Sequence, residues 1–114
     1  MHRKPRDVEV FVTFLPTEDG GRPNGVVSGY RGQFYYGAHD WDGEYTFPDH
    51  DQVPLGVSVR AHLAFLSPHE HEGLLAVGTP FLVREGQKVV GYGSVTQLID
   101  LPESAARARA TDMA

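Results

Sequence analysis

Residues 28–36 read SGYRGQFYY and join a glycine-bracketed turn to an aromatic run. The aromatic half favours an extended, half-buried strand, because rings pack well on a pleated surface. The glycines of the first half predict a turn that directs Tyr30 and Arg31 outward. An aromatic, an arginine and the amide of Gln33 in close succession are typical of a recognition surface. The alternative is that the aromatic residues belong to the core and that Arg31 is a solvated neighbour.

Strand patterns and turn chemistry alternate over the rest of the chain. Apolar residues recur at every second position over residues 8–15 and 57–66, which is the period of a strand. The turn Glu85-Gly86-Gln87 separates two further apolar runs and predicts a hairpin. The remaining strands are expected at 26–27, up to about residue 36, and at 44–47, with a turn over 40–43.

Two glycines, Gly91 and Gly93, lie inside the strand that follows the hairpin. They predict a bend or a close crossing of two backbones, which a small barrel needs in order to close. A count of about six strands, with no amphipathic helix between them, predicts an all-β domain, either a sandwich or a barrel. Closure into a barrel would remove the exposed sheet edges.

The C-terminal residues follow a different pattern from the strands. Pro102 ends the last strand, and Ser104 is the expected N-cap of a short helix over 105–110. An isolated helix of that length is marginal in water. We therefore expect residues 1–101 to form one β-barrel domain and residues 102–114 to form a tail that is a short helix or disordered.

Composition limits the classes of function. The chain has 114 residues and no cysteine, so a disulfide frame, a thiolate metal site and a thiol nucleophile are excluded. No apolar run reaches the length of a membrane span, and the basic N-terminus lacks an apolar stretch behind it, which predicts a cytoplasmic protein. Between residues 7 and 100, thirteen acids face five basic residues, a balance that argues against strong non-specific binding of nucleic acid.

Two gapped motifs carry a resemblance to a known family. Residues 28–35 follow the pattern SGYRxQFY, and residues 84–96 follow REGxxVVGxGxVT. Lys4-Pro5, the run 20–22 (GGR) and Pro68 fall in the matching order. Over residues 4–101 the chain resembles domain III, the C-terminal domain of bacterial elongation factor Tu. The resemblance implies a closed six-stranded antiparallel β-barrel.

The resemblance also implies a function without catalysis. In that family the domain packs against the GTPase domain, helps to hold the T-stem of aminoacyl-tRNA and contacts the exchange factor Ts. The family's T-stem contacts match five residues here, and two more from the first motif complete the predicted partner or RNA surface. The seven residues are Arg22, Tyr30, Arg31, Gln33, Arg84, Glu85 and Gly86.

Several positions depart from the family pattern. A histidine of the family is Pro23 here, a threonine is Asp42, and a lysine of some members is Ser67. Two lost polar contacts and an added carboxylate predict weak tRNA binding at best. The chain also has no phosphate-binding loop of the GxxxxGK[ST] type, so GTP binding is not expected.

The run His69-Glu70-His71-Glu72 is the strongest candidate for a metal site, and Asp49-His50-Asp51 is a second. The first lacks the His-Glu-x-x-His spacing that places two imidazoles on one face of a helix. Alternating histidine and glutamate in a loop is more typical of a solvated acidic segment. We therefore expect no metal and no cofactor, and a metal-dependent hydrolase using His69 and His71 is the weaker alternative.

The sequence thus predicts a free-standing, non-enzymatic binding module, monomeric and related to translation. The expected partner is tRNA, the exchange factor, the GTPase domain, or a toxin or effector that targets elongation factor Tu. An immunity or decoy protein is the other alternative.

Overall fold

The computed structural model describes residues 4–113, which form one antiparallel sheet followed by a helix. In chain order the strands are β1 (Val8–Phe14), β2 (Gln33–Tyr36), β3 (His39–Trp41), β4 (Gly43–Thr46), β5 (Ser58–Phe65), β6 (Pro80–Glu85) and β7 (Lys88–Leu98). The helix α1 spans Leu101–Met113, and single 3-10 turns cover Thr17–Asp19 and Pro68–Glu70. The strand order in the sheet is β3-β2-β6-β7-β1-β5-β4.

One face of the sheet forms the core, because alternate residues of each strand point to the same side. In β1 the buried residues are Val8, Val10, Val12 and Phe14. Phe34 of β2 stacks on Phe81 of β6 with 4.3 Å between ring centroids, and Phe65 of β5 meets its edge at 5.3 Å. Strands that are distant in sequence therefore share one apolar interior, and the predicted all-β class is confirmed.

The prediction of a closed six-stranded barrel is wrong. The sheet has seven strands and curls into a half-barrel, and its two edge strands, β3 and β4, do not pair with each other. The expected turn over 40–43 is also wrong. The turn lies at Gly37 and Ala38, with φ of 58° and 64°, and the chain then pairs back on β2 as β3. Asp42 is the single residue between β3 and β4, although these two strands lie at opposite ends of the strand order.

The segment that was expected to hold a strand at 26–27 makes only single bridges. Val26 pairs with Val53, and Tyr30 pairs with Tyr45. The amide of Tyr45 donates to the carbonyl of Tyr30 at 2.8 Å, so the open edge of β4 is partly satisfied by this loop. A short bridge replaces a strand here because the glycine-rich backbone around it turns away on both sides.

The C-terminal helix begins earlier than expected, and Ser104 is not its N-cap. The carbonyl of Asp100 accepts a hydrogen bond from the amide of Ser104, which places the cap at Asp100. Ser104 lies inside the first turn and is buried, as are Leu101 and Ala105. The helix thus forms by packing against the 3-10 turn at Pro68–Glu70 and, through Leu101, against the core, rather than by its own propensity. Within residues 4–113, no helix has the length and apolar character needed to cross a bilayer.

Candidate functional site

Gln33 and Arg84, which both belong to the predicted surface, lie directly opposite each other on β2 and β6. Opposite residues of an antiparallel pair project to the same side of the sheet. The guanidinium of Arg84 stacks over the ring of Tyr35 at 4.7 Å, and its Nε lies 3.6 Å from Oδ1 of Asp40. The stacked ring and the carboxylate hold this arginine in a fixed position.

Arg22, Tyr30 and Glu85 form a second group. The phenol of Tyr30 donates to Oε2 of Glu85 at 2.6 Å, and the guanidinium of Arg22 donates to the same oxygen. The Arg22 guanidinium also lies 5.1 Å from the centre of the Tyr30 ring. Burial and the Glu85 carboxylate raise the pKa of Tyr30, so the phenol keeps its proton and remains a donor.

Tyr30 has a structural part as well as a polar one. Its ring packs against Phe14 and Tyr45, with 5.4 Å between centroids in both cases. The two interpretations of this residue therefore hold together: the ring lies on the core, and the hydroxyl orients Glu85. Gly86 follows Glu85 directly in the turn between β6 and β7.

Arg31 lies apart from the Arg22 group. Its guanidinium donates to Oε1 of Glu44 at 2.8 Å, and Lys4 binds the other oxygen of the same carboxylate. The Lys4 ammonium and, to a smaller extent, the Arg31 guanidinium hold the pKa of Glu44 below its usual range. Gln33, in turn, donates its amide to Oδ1 of Asp42 at 2.9 Å. The first motif of the sequence, which includes Tyr30, therefore supplies residues to three different clusters.

An apolar row that the sequence did not reveal crosses the same side of the sheet as Gln33 and Arg84. Tyr35 pairs with Leu82, and Leu82 pairs with Tyr92, whose side chain is 51% exposed. We refer to this surface, which comprises Gln33, Tyr35, Leu82, Arg84 and Tyr92, as the outer face. A shallow cavity of about 200 Å³ opens beside Tyr35 and Leu82. The sequence signal that could have revealed this row is the presence of apolar residues at outward-facing positions of β6 and β7.

The expectation that residues 69–72 are solvated is wrong for His71, which is fully buried. The 3-10 turn at Pro68–Glu70 directs this imidazole against the rings of Phe65 and Trp41, at centroid distances of 4.0 and 4.6 Å. Its Nδ1 lies 2.6 Å from the hydroxyl of Tyr36. The aromatic walls provide an apolar site that a loop of polar residues does not predict.

The protonation of this pair follows from burial. Burial raises the pKa of Tyr36 to about 12. Burial also lowers the pKa of His71 to about 4, and the nearby His69 contributes a smaller part of that shift. The tyrosine is therefore the donor, and neutral His71 accepts at Nδ1. Its Nε2 then carries the proton and has no hydrogen-bond partner within the described residues.

The two candidate metal segments do not assemble a ligand set. Among residues 4–113, no three histidine or carboxylate side chains come together in a geometry that could hold a metal ion. In the second segment, both oxygens of Asp49 accept hydrogen bonds from Arg60, at 2.9 and 3.1 Å. This contact holds the pKa of Asp49 below its usual range.

No protein-family model matches the sequence. The seven predicted residues fall into three groups, and every arginine among them faces a carboxylate of the same chain. Such a surface suits recognition by shape, stacking and hydrogen bonds better than attraction of a polyanion.

Proposed function

We propose that this chain is a non-enzymatic binding module, similar to domain III of elongation factor Tu, whose partner is a protein of translation elongation. The partner is the GTPase domain of that factor or a protein that binds the factor, such as the exchange factor or a toxin. The ordered motifs over residues 4–101 and the all-β fold support this family relationship. The outer face is the proposed contact.

The observation that favours a protein partner over an RNA is that each arginine of the predicted surface is paired with a carboxylate. Arg22 faces Glu85, Arg31 faces Glu44, and the side chain of Arg84, which is 20% exposed, lies against Asp40. Binding to a phosphate backbone requires cations that can release counterions. Protein interfaces instead favour aromatic residues and ordered arginines at their centre.

Exposed rings beside the paired arginine add to this support. Tyr92 is half exposed and continues the row of Tyr35 and Leu82, in which the Tyr35 ring stacks against the Arg84 guanidinium. Aromatic and arginine side chains supply most of the binding free energy in many protein interfaces. The outer face has this composition, and the carboxylates of Asp40 and Asp42 lie beside it, against Arg84 and Gln33.

Calorimetric titration of the purified chain with elongation factor Tu, its isolated GTPase domain and the exchange factor tests the proposal. We expect one of these proteins to bind, and the double variant Arg84→Ala with Tyr92→Ala to weaken binding at least tenfold, about 1.4 kcal/mol. The matched control is Arg109→Ala with Val27→Ala, an exposed arginine and an exposed valine elsewhere.

Two outcomes would contradict the proposal. One is the absence of heat with all three proteins at concentrations well above the micromolar range. The other is binding that the control variant weakens as much as the outer-face variant does. Far-ultraviolet circular dichroism of both variants would establish that each keeps its β structure.

The affinity for tRNA is expected to be low, with a dissociation constant on the order of 10⁻⁴ M at physiological salt. Asp42 places a carboxylate beside Gln33, and Pro23 offers no side-chain donor next to Arg22. The variant Asp42→Thr with Pro23→His is expected to bind more tightly, because it removes the carboxylate and restores a donor. Filter binding with aminoacyl-tRNA at two salt concentrations measures both affinities, and submicromolar binding by the unmodified chain would refute the expectation.

A further inference from the structure

A cleft of about 340 Å³ lies where the N-terminal segment passes β4 and β5. Six residues line it: Lys4, Pro5, Arg6, Thr46, Pro48 and His62. Three of the six carry a basic side chain and one a hydroxyl, and the described lining contains no carboxylate. This concentration of donors stands out in a chain whose formal net charge is −5.

Two parts of the fold hold these residues in place, the β4–β5 pair and the N-terminal segment. Thr46 and His62 are direct partners in the β4–β5 pair, so their side chains project to the same side. The backbone amide of Arg6 donates to Oδ2 of Asp100 at 2.8 Å, which fixes the N-terminal segment beside the cleft. The guanidinium of Arg6 makes no ion pair with any residue in the described range.

Two nearby carboxylates, Glu44 and Glu9, are each paired both with a basic group of the cleft and with an arginine outside it. Glu44 is bound by Lys4 and by Arg31. Glu9 accepts from Thr96 at 3.0 Å, and its Oε1 lies 3.5 Å from Arg60 and 3.4 Å from Nε2 of His62. The Lys4 side chain is 63% exposed, so its pairing with Glu44 is screened by solvent, and its ammonium can turn toward a ligand in the cleft.

We propose that this cleft binds a phosphate group, either as the free dianion or as the phosphomonoester of a small molecule. A guanidinium, an ammonium, a hydroxyl and an imidazole line the cleft, and these donors suit the several acceptor oxygens of a tetrahedral dianion. The volume exceeds that of a phosphate group alone and leaves room for the rest of a small phosphorylated molecule. The outer face contributes none of the lining residues, so this proposal is independent of the protein partner.

Nuclear magnetic resonance of the full chain tests the site directly. The His62 ring and the Arg6 side chain are followed while inorganic phosphate is added near neutral pH, against sodium chloride of equal ionic strength. We expect saturable shifts with phosphate only, and an at least fivefold weaker dissociation constant in Arg6→Gln, about 1 kcal/mol. Lys4→Gln is expected to weaken binding less, and the control Arg109→Gln is expected to bind as the unmodified chain does.

A second titration with ribose 5-phosphate separates the two sources of the phosphate group. Tighter binding than that of inorganic phosphate would assign the cleft to a phosphorylated small molecule, and equal binding would assign it to the free anion. Shifts that chloride reproduces, or a dissociation constant that Arg6→Gln leaves unchanged, would overturn the proposal. The folded state of each variant is verified by the dispersion of its own spectrum.

Discussion

Replacing Gly93 by alanine (Gly93→Ala) is expected to lower the free energy of unfolding by about 3 kcal/mol or more. A Cβ atom at this position would lie 2.1 Å from the carbonyl oxygen of Phe11 and 2.8 Å from Cζ of Phe81. The ring can shift, but the carbonyl belongs to β1, which pairs with β7 at Val12 and Gly93. Separating the two strands would expose the centre of the core. Urea denaturation, followed by circular dichroism, measures the loss.

The matched control is Ser94→Ala, the next residue of the same strand. Ser94 is partly exposed and already carries a Cβ, so its change is expected to stay within about 0.5 kcal/mol. If Gly93→Ala cost no more than Ser94→Ala, the close approach of β1 and β7 would be wrong, and the curl of the sheet would need another cause.

Replacing His71 by phenylalanine (His71→Phe) is expected to remove an acid sensitivity of the fold. Burial depresses the pKa of His71 from 6.5 to about 4, so the unfolded chain takes up this proton first as the pH falls. The contribution to stability is therefore complete above pH 6.5 and is lost as the pH drops toward about 4. A shift of this size corresponds to a loss of up to about 3 kcal/mol.

The pKa of His71 is low because its ring is buried among uncharged side chains. Tyr36, Trp41 and Phe65 surround the ring, and none of them supplies a charge that would favour the imidazolium. A phenylalanine fills the same aromatic site but does not titrate. The His71→Phe variant also lacks the hydrogen bond to Tyr36, so we expect a second loss of unfolding free energy that is already present at neutral pH.

Denaturation of the unmodified chain and of His71→Phe between about pH 4 and pH 7.5 separates the two effects. The difference in unfolding free energy between the two proteins is the relevant quantity, because other groups titrate as well. Asp7, for example, has a pKa raised mainly by burial, and its contribution to stability decreases as the pH rises. His39→Gln, at an exposed position, is the control. A difference that does not vary with pH would show that His71 is not a buried neutral base.

Long, regular patterns made the central strands predictable. The alternation over 8–15 and 57–66 corresponds to β1 and β5, and the turn at Glu85 to Gln87 joins β6 to β7. Such patterns persist in the fold because one side of each strand must be buried. The glycines at 91 and 93 likewise indicated the crossing of β1 and β7, since only a missing Cβ allows backbones to approach so closely.

Local signals failed where two of them competed. Asp40-Trp41-Asp42-Gly43 has the composition of a turn, yet the chain turns earlier, at Gly37 and Ala38. Alanine with positive φ is uncommon, so Gly37 was a weak signal for this turn beside the turn-favouring composition at 40–43. The pairing of β2 with β3, together with the packing of Trp41 against His71, compensates for that backbone conformation.

The amino-acid sequence by itself determined the β class, the main strands, the hairpin at Gly86 and the absence of thiol chemistry, because each depends on local pattern or composition. Only the tertiary structure decided which polar residues meet. Arg22 reaches Glu85 and Gln33 lies opposite Arg84 because β2 pairs with β6 across a long stretch of chain. The burial of His71 and the cleft beside Arg6 were decided in the same way, by side chains from several strands that no local pattern brings together.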